Sequence, residues 1–370
     1  MLEGVTRNEA AARLRAERAI AEVRAGRPVE LAIGGARALV LGADAFDAEQ
    51  ARYFAGFKHA DGARLALSAP RLGKLGLDRG EAGTIDVSCL DPARIARLAS
   101  AREAKVDGAV RDADRLDREA LDLVRLALAL PSALVVELDA DERPADALPL
   151  REGDLEAYRR AGIVGLRIVG RAPVPLEGAP KTEFVVFRGG EGLRDQVAII
   201  VGEPDMSKAV TVRLHSACLT GDLFGSLKCD CGDQLRGAVK RMADGEGGVL
   251  LYLDQEGRGS GIGNKMHAYF LQSQGLDTYD ADATLGFEPD QRQFDFAAEM
   301  LRQLGVTAIR ILTNNPQKIA AMRDAGLVVE DELRMFGRPT PQNMRYLEAK
   351  RDKAGHKIED RALRTLGAAE

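Results

Sequence analysis

The sequence lacks any apolar run approaching the ~20 residues that span a bilayer. Its opening, MLEGVTRNEAAARLRAERAIAEVRAG, reads as a charged helix without the apolar core of a secretion signal. No membrane partner is expected, and the reading is a cytoplasmic protein. A basic excess is missing too: 52 Lys and Arg stand against 57 Asp and Glu, a formal net charge of -5, which gives no electrostatic footprint for nucleic acid. Cysteine is scarce, at four residues, and a reducing cytosol keeps such thiols free. What is present is globular composition, 45% apolar and 29% charged, over 370 residues, long enough for two domains that each bury a core.

Three of the four cysteines fall in the run HSACLTGDLFGSLKCDCGDQL, as Cys218, Cys229 and Cys231. Cys229 and Cys231 are too close for an ordinary disulfide, but two thiolates one residue apart can both turn toward one zinc ion about 2.3 Å away. One coordination position is left. His215, three residues before Cys218, would close a structural Cys3His site, whereas a water there would make the site catalytic. Spacing alone leaves both open. Cys89, alone in TIDVSCLD, reads as a buried free thiol.

The first half alternates helical and strand-like stretches. A helix over residues 8–26 ends at AGRP, followed by VELAI and ARALVLG, AEQARYFAGF, ARLALS, DPARIARLASA, DREALDLVRLALAL and SALVVEL. The pattern predicts an α/β fold of two domains, each a mixed sheet layered with helices. VGRAPVPLEGAPK, with prolines at 173, 175 and 180, reads as the joint, and domain two starts near Lys181. Its strands TEFVVFRG, QVAIIVGE and AVTVRLHSA lead directly into the cysteines. Beyond them, the glycine-rich QEGRGSGIGNK could cradle an anion, with Arg258 and Lys265 supplying charge. A second junction, AIRILTNNPQKIAAMRDAG, sets Thr313, Asn314 and Asn315 before a helix, with Pro316 in its first turn and Lys318 just inside. A glycine-rich loop by itself is more often a surface turn; two such junctions suggest a polyanionic ligand.

Residues from about 181 to 340 closely resemble GTP cyclohydrolase II, through RLHSACLTGD, SLKCDCG, QEGRG, NK followed by AYFLQ, QGLDT, LGFEPDQR and LTNNPQK in the family's order. The resemblance implies one zinc per chain, held by Cys218, Cys229 and Cys231 with water in the fourth position. It implies that Arg213, Gln234, Glu256, Arg258, Thr278, Thr313 and Lys318 line a GTP site, with magnesium on the phosphates. It makes Asp290 the general base, Arg292 the nucleophile, and Tyr269 a neighbour of the reacting ring. The implied reaction opens the imidazole ring, giving 2,5-diamino-6-(5-phosphoribosylamino)pyrimidin-4-one, formate and pyrophosphate, the first step of riboflavin biosynthesis; a homodimer is also implied. This chain departs from the family at Ala217, where glutamate is usual, at Asp254, where arginine is usual, and at Gly259–Gly263, where the loop runs Gly-Ser-Gly-Ile-Gly rather than continuing Gly-Ile-Gly-Leu.

Residues 1–175 resemble, more weakly, a 3,4-dihydroxy-2-butanone 4-phosphate synthase domain, through AIAEVRAGRPVEL, FAGFKHADGARLALSAPRLGKLGL and ALDLVRLALALPSALVVEL. LAIGGARALVLGADAF stands where that family has an acidic cluster, and DADRLDREAL where it has a histidine segment. Glu137 alone matches, and a lone acid cannot hold a metal that needs several oxygens. This domain is expected to be non-catalytic. Two alternatives to the GTP hydrolase remain, a zinc-dependent paralogue with altered substrate or incomplete turnover, and a non-enzymatic nucleotide-binding regulatory protein.

Overall fold

The computed structural model describes residues 7–145, 147–190 and 194–358. The chain divides into two compact units, residues 1–161 with 263–291, and residues 162–262 with 292–370. Each is built on a seven-stranded sheet. Among the described residues no helix is long and apolar enough to cross a membrane.

The first sheet comprises β1 (Val29–Ile33), β2 (Ala36–Gly42), β3 (Arg64–Leu67), β4 (Gly83–Asp86), β5 (Val110–Asp112), β6 (Ser132–Glu137) and β7 (Leu148–Arg151), in the order β5-β4-β3-β6-β2-β1-β7. Its pairings are antiparallel except β1 with β7, so the sheet is mixed. Strands β2 and β6 are apolar at consecutive positions because both faces are covered. Val40, Ala133 and Val135 meet the helices Arg7–Arg24 and Arg115–Leu126, while Leu39, Leu41, Leu134 and Val136 face a second core containing Phe54, Leu72, Ile95 and Leu98. Helix Arg115–Leu126 is started by a reciprocal cap, Asp114 accepting from the Asp117 N–H and Asp117 from that of Asp114.

Residues 263–291 join this unit rather than the one their sequence neighbours build. Leu271, Ala281, Leu285 and Phe287 pack around Leu130, and Asn264 Nδ2 donates to the Leu128 carbonyl at 2.9 Å. Arg71, fully buried, donates to the carbonyls of Thr284 (2.7 Å), Leu98 (2.6 Å), Arg97 (3.0 Å) and Ala101 (2.9 Å). Burial pushes its pKa down to about 10. Ser68 Oγ donates to Gly286 O at 2.6 Å, and Lys74 pairs with Asp280 at 2.6 Å.

The second sheet comprises β8 (Arg167–Pro173), β9 (Thr182–Arg188), β10 (Gln196–Val201), β11 (Val210–Ser216), β12 (Gly248–Leu253), β13 (Ala308–Leu312) and β14 (Val328–Leu333), in the order β14-β13-β11-β12-β10-β9-β8. The four strands β14, β13, β11 and β12 run parallel, and β12, β10, β9 and β8 alternate in direction. Of the proline-rich stretch read as a joint, residues 169–173 belong to strand β8 and residues 174–181 form the turn that leads back to β9. Pro173 ends the edge strand β8, where a missing N–H is tolerated, and Leu176 and Ala179 bridge the return to β9. Cys89 differs from expectation as well, being an exposed free thiol in the turn that follows β4 rather than a buried one.

Candidate active site

Strand order fixes where a site can form in the second unit. From β11 the chain crosses to β12 on one side through helix Cys231–Ala243, whose Ala238 and Met242 pack on Leu250 and Leu312. From β13 it moves to β14 on the other side through helix Pro316–Asp324, whose Ile319 and Met322 pack on the opposite face. The connections therefore diverge between β11 and β13, and such a reversal opens a crevice outside the carboxyl ends of parallel strands. Cys218 follows the end of β11, Gln255 and Glu256 follow β12, and Thr313 follows β13.

The three cysteine sulfurs lie within 4.8 Å of one another, and Cys218 Sγ is 3.7 Å from Cys229 Sγ. Tetrahedral bonds of about 2.3 Å to one ion set sulfurs about 3.8 Å apart, so the donor set fits zinc. Gly221 makes room for it: a Cβ there would stand 2.8 Å from Cys229 Sγ and 3.1 Å from Cys218 Sγ. The hydrogen bond with Cys218, aided by burial, pushes the Cys229 thiol up to about 11, and Cys231 is raised well above the ordinary thiol range by its bonds to Cys218 and Cys229. Three thiols so close resist joint deprotonation, and a divalent cation is what would make them anionic together.

His215 is not a fourth donor in this cluster, which among the described residues consists of the three cysteines. Its Nε2 lies 3.1 Å from both Asp222 oxygens, its ring stacks on Tyr252 at 5.6 Å, and burial lowers its pKa, favouring neutral imidazole. Asp222 also accepts from the Cys218 N–H at 2.9 Å and from Tyr252 Oη at 3.0 Å. It anchors the loop behind the sulfurs. Sequence reasoning missed Asp222 and Tyr252, although Asp222 stands inside the RLHSACLTGD motif.

Buried cations gather at the crevice. Arg213 Nη1 donates to Leu312 O at 3.2 Å and Nη2 to Gln234 Oε1 at 2.6 Å, and burial lowers its pKa. Lys318 Nζ donates to Leu214 O at 2.7 Å, so two residues adjacent on β11 are tied to the β13 side. Lys318 and Arg292 each sit 5.3 Å from the Phe294 ring centre, and Arg292 Nη1 donates to Ser216 Oγ at 3.1 Å. Asn315 caps helix Pro316–Asp324 by accepting from the Gln317 N–H, and Thr313 Oγ1 accepts from the Asn315 N–H at 3.1 Å. Glu256 Oε2 accepts from the Leu219 N–H at 2.6 Å, linking the β12 loop to the cysteine loop. Arg258 follows in left-handed conformation, φ 61°, beside Gly257 at φ 63°.

Cys218, Cys229, Cys231, Arg213, Gln234, Glu256, Arg258, Arg292, Thr313 and Lys318 thus belong to one unit. Tyr269, Thr278 and Asp290 belong to the other. Tyr269 lies on helix Gly261–Ser273 with Lys265 Nζ 5.6 Å from its ring centre, and Thr278 opens the helix Thr278–Thr284 capped by Asp277. The departure at Asp254 has a local explanation, since its Oδ2 accepts from the Arg194 N–H at 3.0 Å and its own N–H donates to Gln196 Oε1 at 2.7 Å.

Two residues beyond the expected set also reach this region. Lys350 Nζ is 3.4 Å from Asp230 Oδ1, and His356 is pushed down to about 3 by burial and by the charges of Lys350, Arg292, Lys318 and Arg258. Nothing in their local sequence marks them.

Comparison with known proteins reaches the same region. The family model for GTP cyclohydrolase II matches residues 167–334. A protein named GTP cyclohydrolase-2 from Xylella fastidiosa (strain Temecula1 / ATCC 700964) is 46% identical over 357 residues, covering 95% of this chain and 89% of that protein. The chain belongs to the GTP cyclohydrolase II family. As a member of that family it is a hydrolase, and the likeness to the Xylella protein runs through both compact units. A riboflavin biosynthesis protein RibBA from Salinispora arenicola (strain CNS-205) is 39% identical over 254 residues, 65% of this chain and 60% of that protein. Among solved structures, a two-domain 3,4-dihydroxy-2-butanone 4-phosphate synthase from A. baumannii covers 87% of this chain and 99% of its own at 20% identity, with a TM-score of 0.31.

Proposed function

We propose that this GTP cyclohydrolase II acts in riboflavin biosynthesis by hydrolysing GTP to 2,5-diamino-6-(5-phosphoribosylamino)pyrimidin-4-one, formate and pyrophosphate, using one zinc ion held by Cys218, Cys229 and Cys231. The observation that carries the reading is the meeting of three sulfur donors with Arg213, Arg292 and Lys318 at the carboxyl ends of β11 and β13. Zinc bound there would supply Lewis acidity for hydrolysis at the ring carbon. Arg213 and Lys318 bind and orient phosphate oxygens, and bound magnesium would supply further neutralising charge there. Their hydrogen bonds to Leu312 O, Leu214 O and Gln234 Oε1 fix both cations before the ligand arrives, so little reorganisation opposes binding. Thr313 and the capped start of helix Pro316–Asp324 add neutral donors. Gln234, Glu256, Arg258 and Thr278 complete the substrate contacts, and Tyr269 orients the ring. Arg292 acts at the phosphorus from which pyrophosphate departs. A guanidinium is protonated at neutral pH, so attack through its nitrogen needs a base, the role assigned to Asp290, two residues away in the chain.

The first unit is proposed to be a non-catalytic relative of the butanone phosphate synthase. Glu137, the one residue matching that family's acids, is paired with Arg64 at 2.8 Å.

The test incubates purified protein with GTP and magnesium. Formate, pyrophosphate and the pyrimidine product in equal amounts support the proposal. Pyrophosphate without formate indicates a paralogue with incomplete turnover, and tight GTP binding with neither product indicates a regulatory protein.

A further inference from the structure

The segment that follows the family match, residues 337–358, is stitched onto the cysteine loop and the crevice at several points. Gly337 packs so closely on Asp230 that a Cβ would lie 2.6 Å from Asp230 Cβ. Arg338 N–H donates to Asp233 Oδ2 at 3.1 Å, and Thr340 Oγ1 to Leu227 O at 3.1 Å. Helix Met344–Ala354 follows, and past its end the Lys357 N–H donates to the Asn314 carbonyl at 3.1 Å, at the junction where helix Pro316–Asp324 begins.

From this helix a continuous polar chain runs to the nucleotide arginine. Lys350 Nζ lies 4.1 Å from the Tyr346 ring centre and 3.4 Å from Asp230 Oδ1. Asp230 Oδ2 accepts from Gln234 Nε2, and Gln234 Oε1 accepts from Arg213 Nη2 at 2.6 Å. The order of these bonds fixes the polarity of the Gln234 amide. Because its NH2 faces a carboxylate, its oxygen must face the guanidinium; turned over, it would set donor against donor. Asp230 is 3% exposed and stands between two of the three cysteines, a poor place for an anion without a cation beside it.

We infer that Lys350 is a positioning residue for substrate binding: it holds the Asp230 carboxylate, which orients Gln234, which in turn aims Arg213 into the crevice. The inference rests on the proposed role of Arg213 toward the triphosphate. It extends the working site to a helix beyond the segment the family model matches.

The experiment measures kcat and KM for GTP, zinc content and melting temperature in the unmutated protein and in Lys350→Met, Lys350→Gln, Lys350→Arg and Arg213→Ala. Lys350→Met should raise KM about tenfold or more while kcat changes less than about threefold and zinc stays at one per chain, the pattern for lost ground-state binding. Lys350→Arg, which keeps the charge, should return KM to within about threefold of the unmutated value. If Lys350→Met does not fold, Lys350→Gln keeps a polar head but is shorter and uncharged, and should still raise KM. An unchanged KM in whichever neutral variant folds, beside a raised KM in Arg213→Ala, overturns the relay and leaves the GTP site standing. Failure of Lys350→Arg to lower KM from the neutral variant's value overturns it as well. An unchanged KM in Arg213→Ala overturns the site reading itself.

Discussion

The two sheets have the same number of strands, and an arginine on each is held in a different way: Arg64 on β3, half-buried, and Arg213 on β11, buried. In the first, Arg64 is held between buried Asp117 at 2.8 Å and exposed Glu137 at 2.8 Å, with Asp114 at 3.5 Å, so carboxylates offset its charge. In the second, Arg213 donates to a backbone carbonyl and a neutral amide, bonds that fix its direction without neutralising it. Topology explains where each can be used. The first sheet is antiparallel except at one edge pair, whereas the second has four parallel strands whose connections diverge. A cation left with neutral partners at such a divergence is available to an anionic ligand; one surrounded by carboxylates is structural.

The contrast breaks most completely at the metal loop. Cys229→Ser should lose zinc and lower formate production by more than about 100-fold, with the fold of the first unit retained; metal analysis and circular dichroism check this. His215→Ala should keep its zinc, because its ring serves Asp222. Next, Arg292→Ala should lower pyrophosphate release by about 10²–10³-fold with zinc intact, and Arg292→Lys separates two roles: measurable release means charge stabilisation, almost none means attack by the guanidinium. Gly221→Ala pushes a methyl against two sulfurs and should weaken zinc affinity by about 10–100-fold, read by competition with a chelator.

On the structural side of the comparison, Arg64→Ala leaves Asp117 buried without its partner and should destabilise the protein by about 3 kcal/mol without altering zinc content. Unchanged denaturation midpoints there would erase the distinction between the two arginines. The smallest effect concerns pH. The folded pKa of His356 lies near 3, below the ordinary value near 6.5, so the unfolded chain binds the extra proton first as pH falls. Stability from this group is complete above about 6.5 and declines toward 3, by at most about 2 kcal/mol between pH 6.5 and 5. His356→Gln should flatten that part of the profile in urea titrations at several pH values.

Features written in short stretches of chain were legible from the sequence. The cysteine spacing, the Asn315 cap with Pro316 behind it, and the strands leading to Cys218 depend on neighbours within a few residues. What depends on distant partners was not. Residues 263–291 join the first unit through Arg71 and Ser68, more than 200 positions away, so a boundary drawn by composition put them with the second. The prolines at 173, 175 and 180 looked like a linker because the end of an edge strand and the turn after it tolerate proline as a linker does. Asp230 carries an anion beside thiols, a choice that makes sense only once Lys350, 120 residues later, lies next to it.

Arg71 also sets a schedule for synthesis. Its guanidinium is satisfied by carbonyls from two stretches of chain, residues 97–101 and Thr284, and the second leaves the ribosome long after the first seven strands have been made. Until then the guanidinium lacks one acceptor, and Leu130 lacks the apolar cover of Leu271, Leu285 and Phe287. The first unit is therefore an unfinished body during most of translation, dependent on a segment encoded inside the second. A fragment cut near residue 161 or 175 would carry that exposed patch permanently, and it should be recovered as an aggregating species rather than as an independent domain.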